Sequence, residues 1–328
     1  MKAVVYHETG PSSVLTLVDR DPVPPGPGEV RVRVAVSGVN PTDWKARQGR
    51  LAYAEAVPNQ DGAGVIEAVG EGVDPARVGE RVWLWEAAWQ RPGGTAQESV
   101  TLPARQAVAL PSHASFELGA SLGIPALTAH LCLGSSVGPG LLSGRSVLVA
   151  GGAGAVGNAA IQLARWAGAT VIATVSGPEK AALATAAGAH LVVNYRLDDA
   201  AAAIRAFASG GIDIVVEVAP AANAALDAAV LAPDGTVAVY ATDGALSLDV
   251  SALMRNNISY RFVLVYTVPE ADKDRAVRDV SAAVAAQALR VGDEAGLPLH
   301  SFPLAETAAA HDAVERNAVG KVLVYCSS

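Results

Sequence analysis

Between residues 30 and 36 the chain alternates Val30, Val32, Val34 and Val36 with Arg31, Arg33 and Ala35. That period of two belongs to a strand with one buried and one wet face. Shorter strand-like runs follow at 64–69 and 81–85, punctuated by Gly70-Glu71-Gly72 and Gly79, and the cluster PVPPGPGE at 22–29 leads into the first. The first third therefore predicts a β domain of short strands joined by turns. From about Pro125 the texture changes. Apolar runs at 146–150, 170–175, 191–194, 212–218, 236–240 and 259–265 alternate with Ala-rich stretches. The clearest helices are 158–166 and 179–187, with Gly168 and Gly188 at their C-terminal stops. This rhythm predicts an α/β fold with a doubly wound parallel sheet of six strands, helices covering both faces. Beyond Pro269, Val277, Val280 and Val284 share one helical face, and a strand at 300–304, a helix at 306–317 and a strand at 321–325 close the pattern. The final elements are too few to enclose a core. They are expected to return to the first domain, so that 1–123 with 268–328 forms one domain and 124–267 the other.

Composition sharpens this picture. Of 328 residues 51% are apolar and 17% charged, which excludes disorder through weak hydrophobicity and fits two domains at about 150 residues each. The formal charge of −8 argues against nonspecific binding to nucleic acid or anionic lipid. Two cysteines, Cys132 and Cys326, cannot build a disulfide framework or a cysteine-based structural zinc site. Residues 118–164 carry a single formal charge, Arg145, but Pro125, Pro139 and the glycines from Gly134 to Gly157 interrupt any spanning helix, so no membrane partner is expected. The start, MKAVVYHETG, does not read as a signal peptide, and a cytoplasmic location is the expectation.

The sharpest chemical signal is SVLVAGGAGAVGNAAIQLARWAGATVIATVS at 146–176. A strand runs into Gly152-Ala153-Gly154-Ala155-Val156-Gly157, a helix follows, and a second strand ends near Ser176. Glycine is required because a side chain would hold the backbone away from a pyrophosphate, and because the last glycine lets helix and strand pack closely. The helix N-terminus supplies unpaired N–H donors and about half an elementary positive charge. Some 20 residues past the first glycine an acidic side chain would select NADH, by bonding the ribose hydroxyl and repelling a 2′-phosphate. Here the strand ends in Ser176-Gly177-Pro178 with Lys180 beyond, a hydroxyl and an ammonium suited to a phosphate, so NADPH is favoured; Glu179 beside Lys180 counts against it.

A central dinucleotide domain flanked by a β domain and a returning tail resembles the medium-chain dehydrogenase/reductase superfamily. More narrowly the chain is similar to its zinc-independent quinone oxidoreductase, or zeta-crystallin-like, branch. The marks are GVNPTDWKARQG at 38–49, NQDGAGVIEAVGEGV at 59–73, the glycine turn, VVNYR at 192–196, LAPDGTV at 231–237 and GKVLV at 320–324. The resemblance implies a GroES-like catalytic domain built from both chain ends, a Rossmann domain between them, and NADPH in the interdomain cleft. It also implies that zinc-dependent relatives carry a cysteine in the loop here reading Gly38-Val39-Asn40 and a histidine and an acid in Asn59-Gln60-Asp61-Gly62. Asn40 and Gln60 are poor zinc ligands, so no metal is expected.

The same resemblance places the loop Asn40-Pro41-Thr42-Asp43 beside the nicotinamide, with Asn40 bonding cofactor or substrate carbonyl and Asp43 bracing the loop; as turn residues they have an equally ordinary structural explanation. Tyr53 is a candidate for stacking on substrate or donating a proton, and Gln60 for capping the place of the zinc or satisfying buried backbone. On the cofactor side it implies Thr128 near the nicotinamide and phosphates, backbone donors from Ala153 to Val156, and a clamp of Lys180 and Tyr195 on the adenosine phosphate. Ligands collect at the carboxyl ends of parallel strands, which adds Val218, Ala219, Tyr240, Ala241, Phe262, Val263 and Leu264. Asn317 and Lys321, from the tail, are implied by the resemblance alone. Glu217, near the end of the fourth strand, either titrates in the cleft or faces solvent.

The expected activity is NADPH-dependent reduction of quinones or α,β-unsaturated carbonyls by metal-free hydride transfer, since both acceptors are electron-poor enough to need no Lewis acid. The alternative is an NADPH-binding structural or regulatory protein with little turnover. The sixth strand, YRFVLVY at 260–266, is expected to pair with its twin in a homodimer.

Overall fold

A computed structural model describes residues 1–49 and 51–326. The chain opens with β1 (Lys2–Val5), β2 (Thr16–Asp19), β3 (Glu29–Val39), α1 (Pro41–Gln48), β4 (Asp61–Val69), β5 (Arg81–Leu84), β6 (Ser99–Pro103), β7 (Ala107–Ala109), α2 (Phe116–Gly119) and α3 (Gly123–Leu133). Strand and helix then alternate through β8 (Ser146–Ala150), α4 (Ala155–Trp166), β9 (Thr170–Val175), α5 (Pro178–Ala186), β10 (Leu191–Asn194), α6 (Ala200–Phe207), β11 (Ile212–Glu217), α7 (Pro220–Val230), β12 (Leu231–Val239), α8 (Val250–Arg255) and β13 (Ser259–Phe262). The remainder is α9 (Glu270–Ala285), β14 (Leu299–Pro303), α10 (Thr307–Glu315) and β15 (Lys321–Tyr325).

Two compact units result, one from Met1–Ile124 with Leu299–Ser328 and one from Pro125–Pro298. In the first, the strands run β14-β15-β3-β4-β5-β7, with β6 also on β3. The alternation read from the sequence explains why β3 is central: Val30, Val32 and Val34 are fully buried in the core beside Ile66, Val82 and Leu102. The tail joins through β15, which runs antiparallel to β3 with Val322 opposite Val39 and Leu323 opposite Gly38. This register delivers Lys321 to the end of β3, where α1 begins.

The second unit is a parallel sheet ordered β10-β9-β8-β11-β12-β13. Chain order reverses between β8 and β11, and ligands bind at such a switch point in open α/β sheets. Its core stacks Leu148, Ile172, Val215 and Val237.

Two boundaries differ from the sequence reading. The chain returns to the first unit at Leu299 and not at 268, because α9 belongs to the second. There Ala276, Val280, Ala283 and Val284 are buried, and the Asp279 carboxylate accepts from His130 Nε2 (2.7 Å) and Val137 N–H (3.0 Å). The sequence reading gave this helix, within 268–328, to the first domain, because amphipathicity does not say which core a helix packs on. The sixth strand is also shorter than 259–265. It ends at Phe262, and the chain turns through Val265–Thr267 with the Thr267 N–H bonded to Leu264 O. Among the described residues no helix is long and apolar enough to cross a membrane.

Candidate active site

The glycine turn shows why each glycine is there. Gly151, one residue before the motif, takes a left-handed φ of +70° where β8 gives way to the turn into α4. A Cβ on Gly152 would sit 2.8 Å from Ala173 Cβ, and one on Gly157 would sit 2.4 Å from Gly151 O, so both serve close packing. Gly154 has open space, its nearest neighbour being Gly151 O at 3.5 Å. The Gly154 N–H is already bonded to Gly151 O at 3.0 Å, which removes it from the donors expected across 153–156. Gly154 caps α4 without a side-chain hydrogen bond, so the first-turn N–H groups of Ala155 and Val156 keep no cap of their own.

Parallel strands align their carboxyl ends, and this brings several of the expected residues to one edge. Asn194 is registered against Val175, so Tyr195 follows β10 beside Ser176 at the end of β9. Lys180 lies in the first turn of α5, which starts at Pro178, and forms no ion pair among the described residues. Arg196, which the sequence reading passed over, adjoins Tyr195 and is likewise without a carboxylate partner among them; the signal for it was its place in VVNYR. Val218 and Ala219 follow β11, and Tyr240 and Ala241 follow β12. Val263 is buried between exposed Phe262 and Leu264. Thr128 is buried on α3.

Glu217 does not face solvent. It is fully buried and accepts hydrogen bonds from the Ala219 N–H and from Asn223 Nδ2 at 3.0 and 3.1 Å, fastening β11 to the first turn of α7. Beside it lies Asp227, also buried, whose carboxyl oxygens find no hydrogen-bond partner of good geometry. Burial, then the charge of Glu217, pushes the Asp227 carboxyl up to about 8. Burial also raises Glu217 and the Tyr240 phenol.

In the first unit, four side chains that are all at most 3% exposed form one cluster: Asn40, Asp43, Asp61 and Lys321. Asn40 precedes α1, and its N–H donates to Asp43 Oδ2 at 2.7 Å, the reciprocal arm of a capping box. Asn40 Nδ2 donates to Asp61 Oδ2 at 2.7 Å, and Lys321 Nζ donates to Asn40 Oδ1 at 2.8 Å while lying 3.5 Å from Asp61 Oδ2. The other Asp61 oxygen accepts the Ile124 N–H at 2.9 Å. The enclosure depends on glycine, since a Cβ on Gly123 would lie 2.1 Å from Asp61 Oδ1. Burial, then the negative charge of Asp61, pushes Asp43 up to about 8, while burial raises Asp61 and lowers Lys321, each opposed by the other's charge.

A second polar string braces the same loop. His311 Nε2 donates to Asn59 Oδ1 (2.8 Å), Asn59 Nδ2 to Ser37 Oγ (2.9 Å), Ser37 to Thr95 Oγ1 (2.7 Å), and Thr95 to the Asp61 carbonyl (2.5 Å). Burial, with Arg47 nearby, pushes His311 down to about 3, so it is a neutral donor here. Gln60, the candidate for the zinc position, accepts the Ala88 N–H at 3.1 Å and so satisfies buried backbone. Tyr53 is exposed in the irregular segment between α1 and β4. Asn317 is exposed too; its left-handed φ of +59° turns the chain from α10 towards β15.

These features agree with comparisons against known proteins. Residues 26–112 match the alcohol dehydrogenase GroES-like domain and residues 155–282 the zinc-binding dehydrogenase domain. The chain is 31% identical to the quinone oxidoreductase of Lama guanicoe, over 99% of this chain and 97% of that protein. It belongs to the quinone oxidoreductase family of the medium-chain dehydrogenase/reductase superfamily. A mycobacterial protein solved in complex with NADPH has the same fold, with 31% identity, a TM-score of 0.82 and 99% of each chain covered. The synaptic vesicle membrane protein VAT-1 homolog of Rattus norvegicus is 34% identical over 73% of this chain, which spans 59% of that longer relative.

The matches of this quinone oxidoreductase family member imply two groups, a nicotinamide nucleotide and zinc. The nucleotide fits, because the turn leaves a side-chain-free approach at Gly154 and uncapped donors behind it. Zinc does not fit. Its positions are taken by an amide on backbone duty and by a carboxylate already compensated by an ammonium, and no three His, Cys, Asp or Glu of the described residues converge as a metal site.

Proposed function

We propose that this protein is an NADPH-dependent reductase of quinones or α,β-unsaturated carbonyls that works without zinc. The observation that carries the reading is the open, uncapped glycine turn of one unit together with the buried Asn40–Asp61–Lys321 cluster of the other. When bound, the reduced nicotinamide supplies the hydride. The N–H groups of Ala155 and Val156 and the α4 dipole take the pyrophosphate. Ser176, Lys180, Tyr195 and Arg196 take the 2′-phosphate, two of them cations without a carboxylate partner among the described residues. Val218, Ala219, Tyr240, Ala241 and Val263 wall the nucleotide at the strand ends. Lys321 holds Asn40 and Asp61 in place.

Fluorescence titration with NADPH, followed by turnover with a panel of quinones and enones, tests this. Binding below millimolar with NADPH oxidation is expected; no binding and no oxidation would end the enzyme reading, and tight binding without oxidation would favour the structural or regulatory alternative. The reading extends to a homodimer through the edge of β13, whose last residue, Phe262, is 69% exposed. Sizing chromatography showing only monomer would reject it.

A further inference from the structure

Asn40 is held by two partners that admit only one orientation of its amide. A lysine ammonium can only donate and an ionised carboxylate can only accept. Lys321 Nζ therefore fixes Oδ1 on one side, at 2.8 Å, and Asp61 Oδ2 fixes Nδ2 on the other, at 2.7 Å. Turning the amide over would set N–H against ammonium and oxygen against carboxylate. Nδ2 carries two hydrogens, and Asp61 takes one of them. The neighbours are as fixed as the amide: Asp61 is held by the Ile124 N–H, and the Lys321 stem passes within 3.0 Å of where a Gly38 Cβ would stand.

This matters for the reaction proposed above, on which the inference rests. As hydride arrives, negative charge grows on the carbonyl oxygen of a quinone or enone, and an N–H aimed at that oxygen stabilises it whereas an amide oxygen would repel it. We infer that Lys321 is a positioning residue for reduction: it keeps the Asn40 amide turned so that the remaining Nδ2–H, and not the carbonyl, is available to the acceptor oxygen. The last strand of the chain thereby sets the polarity of a loop 281 residues upstream.

Three variants isolate the effect: K321R, which keeps a cationic donor, K321M, which keeps none, and D61N/K321M, which is neutral. In the double variant the single oxygen of the new amide is taken by the Ile124 N–H, so its NH2 faces Asn40 and turns that amide over. Two readouts apply: hydrogen exchange of the Asn40 side-chain NH2, assigned by its loss in N40L, and steady-state kinetics with NADPH and a quinone. In both methionine variants the exchange rises at least tenfold over wild type and kcat falls at least tenfold, the size expected for a misaimed group, while the Kd for NADPH changes less than threefold. K321R restores protection of the Asn40 NH2 and raises kcat at least fivefold above K321M. If arginine rescues neither readout, or if exchange rises while kcat holds, the inference is overturned. If the wild type itself does not oxidise NADPH, the functional reading fails; the exchange difference still decides whether Lys321 locks the amide.

Discussion

Asp227→Asn should make the protein more stable, and increasingly so as pH rises. The Asp227 carboxyl is 1% exposed, lies beside buried Glu217 and is pushed up to about 8, chiefly by burial. Its unfolded value is near 3.9, so folding takes up a proton throughout the window between the two. A group raised in this way stabilises the fold only while both states are protonated, and its contribution is lost as pH climbs from about 4 towards 8. Each pH unit costs about 1.4 kcal/mol, or about 2.7 kcal/mol between pH 5 and pH 7. The amide needs no proton and offers Glu217 a donor, so the stability difference between variant and wild type should widen by about that amount over the interval. At about 2–4 °C per kcal/mol for a domain of this size, the gap in Tm should grow by about 5–10 °C. Thermal unfolding of both proteins at pH 5, 6 and 7 measures it, and the subtraction cancels the titrating groups that do not interact with Asp227, leaving the Asp227–Glu217 pair. Curves that stay parallel would refute the argument, since Asp227 would then be ionised in the fold at all three values.

Replacing Lys180 and Arg196 together by alanine should raise the Kd for NADPH by about 10- to 100-fold, the loss of charge-assisted contacts worth about 1.5–3 kcal/mol, and that for NADH less than threefold; equal shifts in parallel fluorescence titrations would show that neither side chain meets the 2′-phosphate. Gly123→Ala places a Cβ 2.1 Å from Asp61 Oδ1 and 3.0 Å from Leu84 O. It should cost about 2–3 kcal/mol by overpacking, read as a lower denaturation midpoint at unchanged slope, and an unaltered midpoint would mean that the Asp61 enclosure is looser than the structure has it.

Much of the architecture was legible because it rests on local periodicity. Alternating valines declared β3, Ala-rich stretches ended by Gly168 and Gly188 declared α4 and α5, and the strand–glycine–helix frame at 146–176 declared the succession of β8, a glycine turn, α4 and β9. The end of β9 was legible as well, because Ser176 stands in a fixed relation to the first glycine. Where a helix packs is different. Nothing in the pattern of Val277, Val280 and Val284 says which of two cores receives it, and α9 went to the second unit through a histidine–aspartate contact spanning 149 residues.

The polar cluster was the least legible part. Asp61 and His311 look like any turn acid or helix histidine, and Lys321 like a lysine flanking a strand. They acquire their roles from partners 260, 252 and 281 residues away. By itself the sequence determined what each segment becomes, because strand, helix and turn follow from neighbours in the chain. Only the tertiary structure decided which charges are buried together, because ion pairing and desolvation depend on distance in space, which local pattern does not carry.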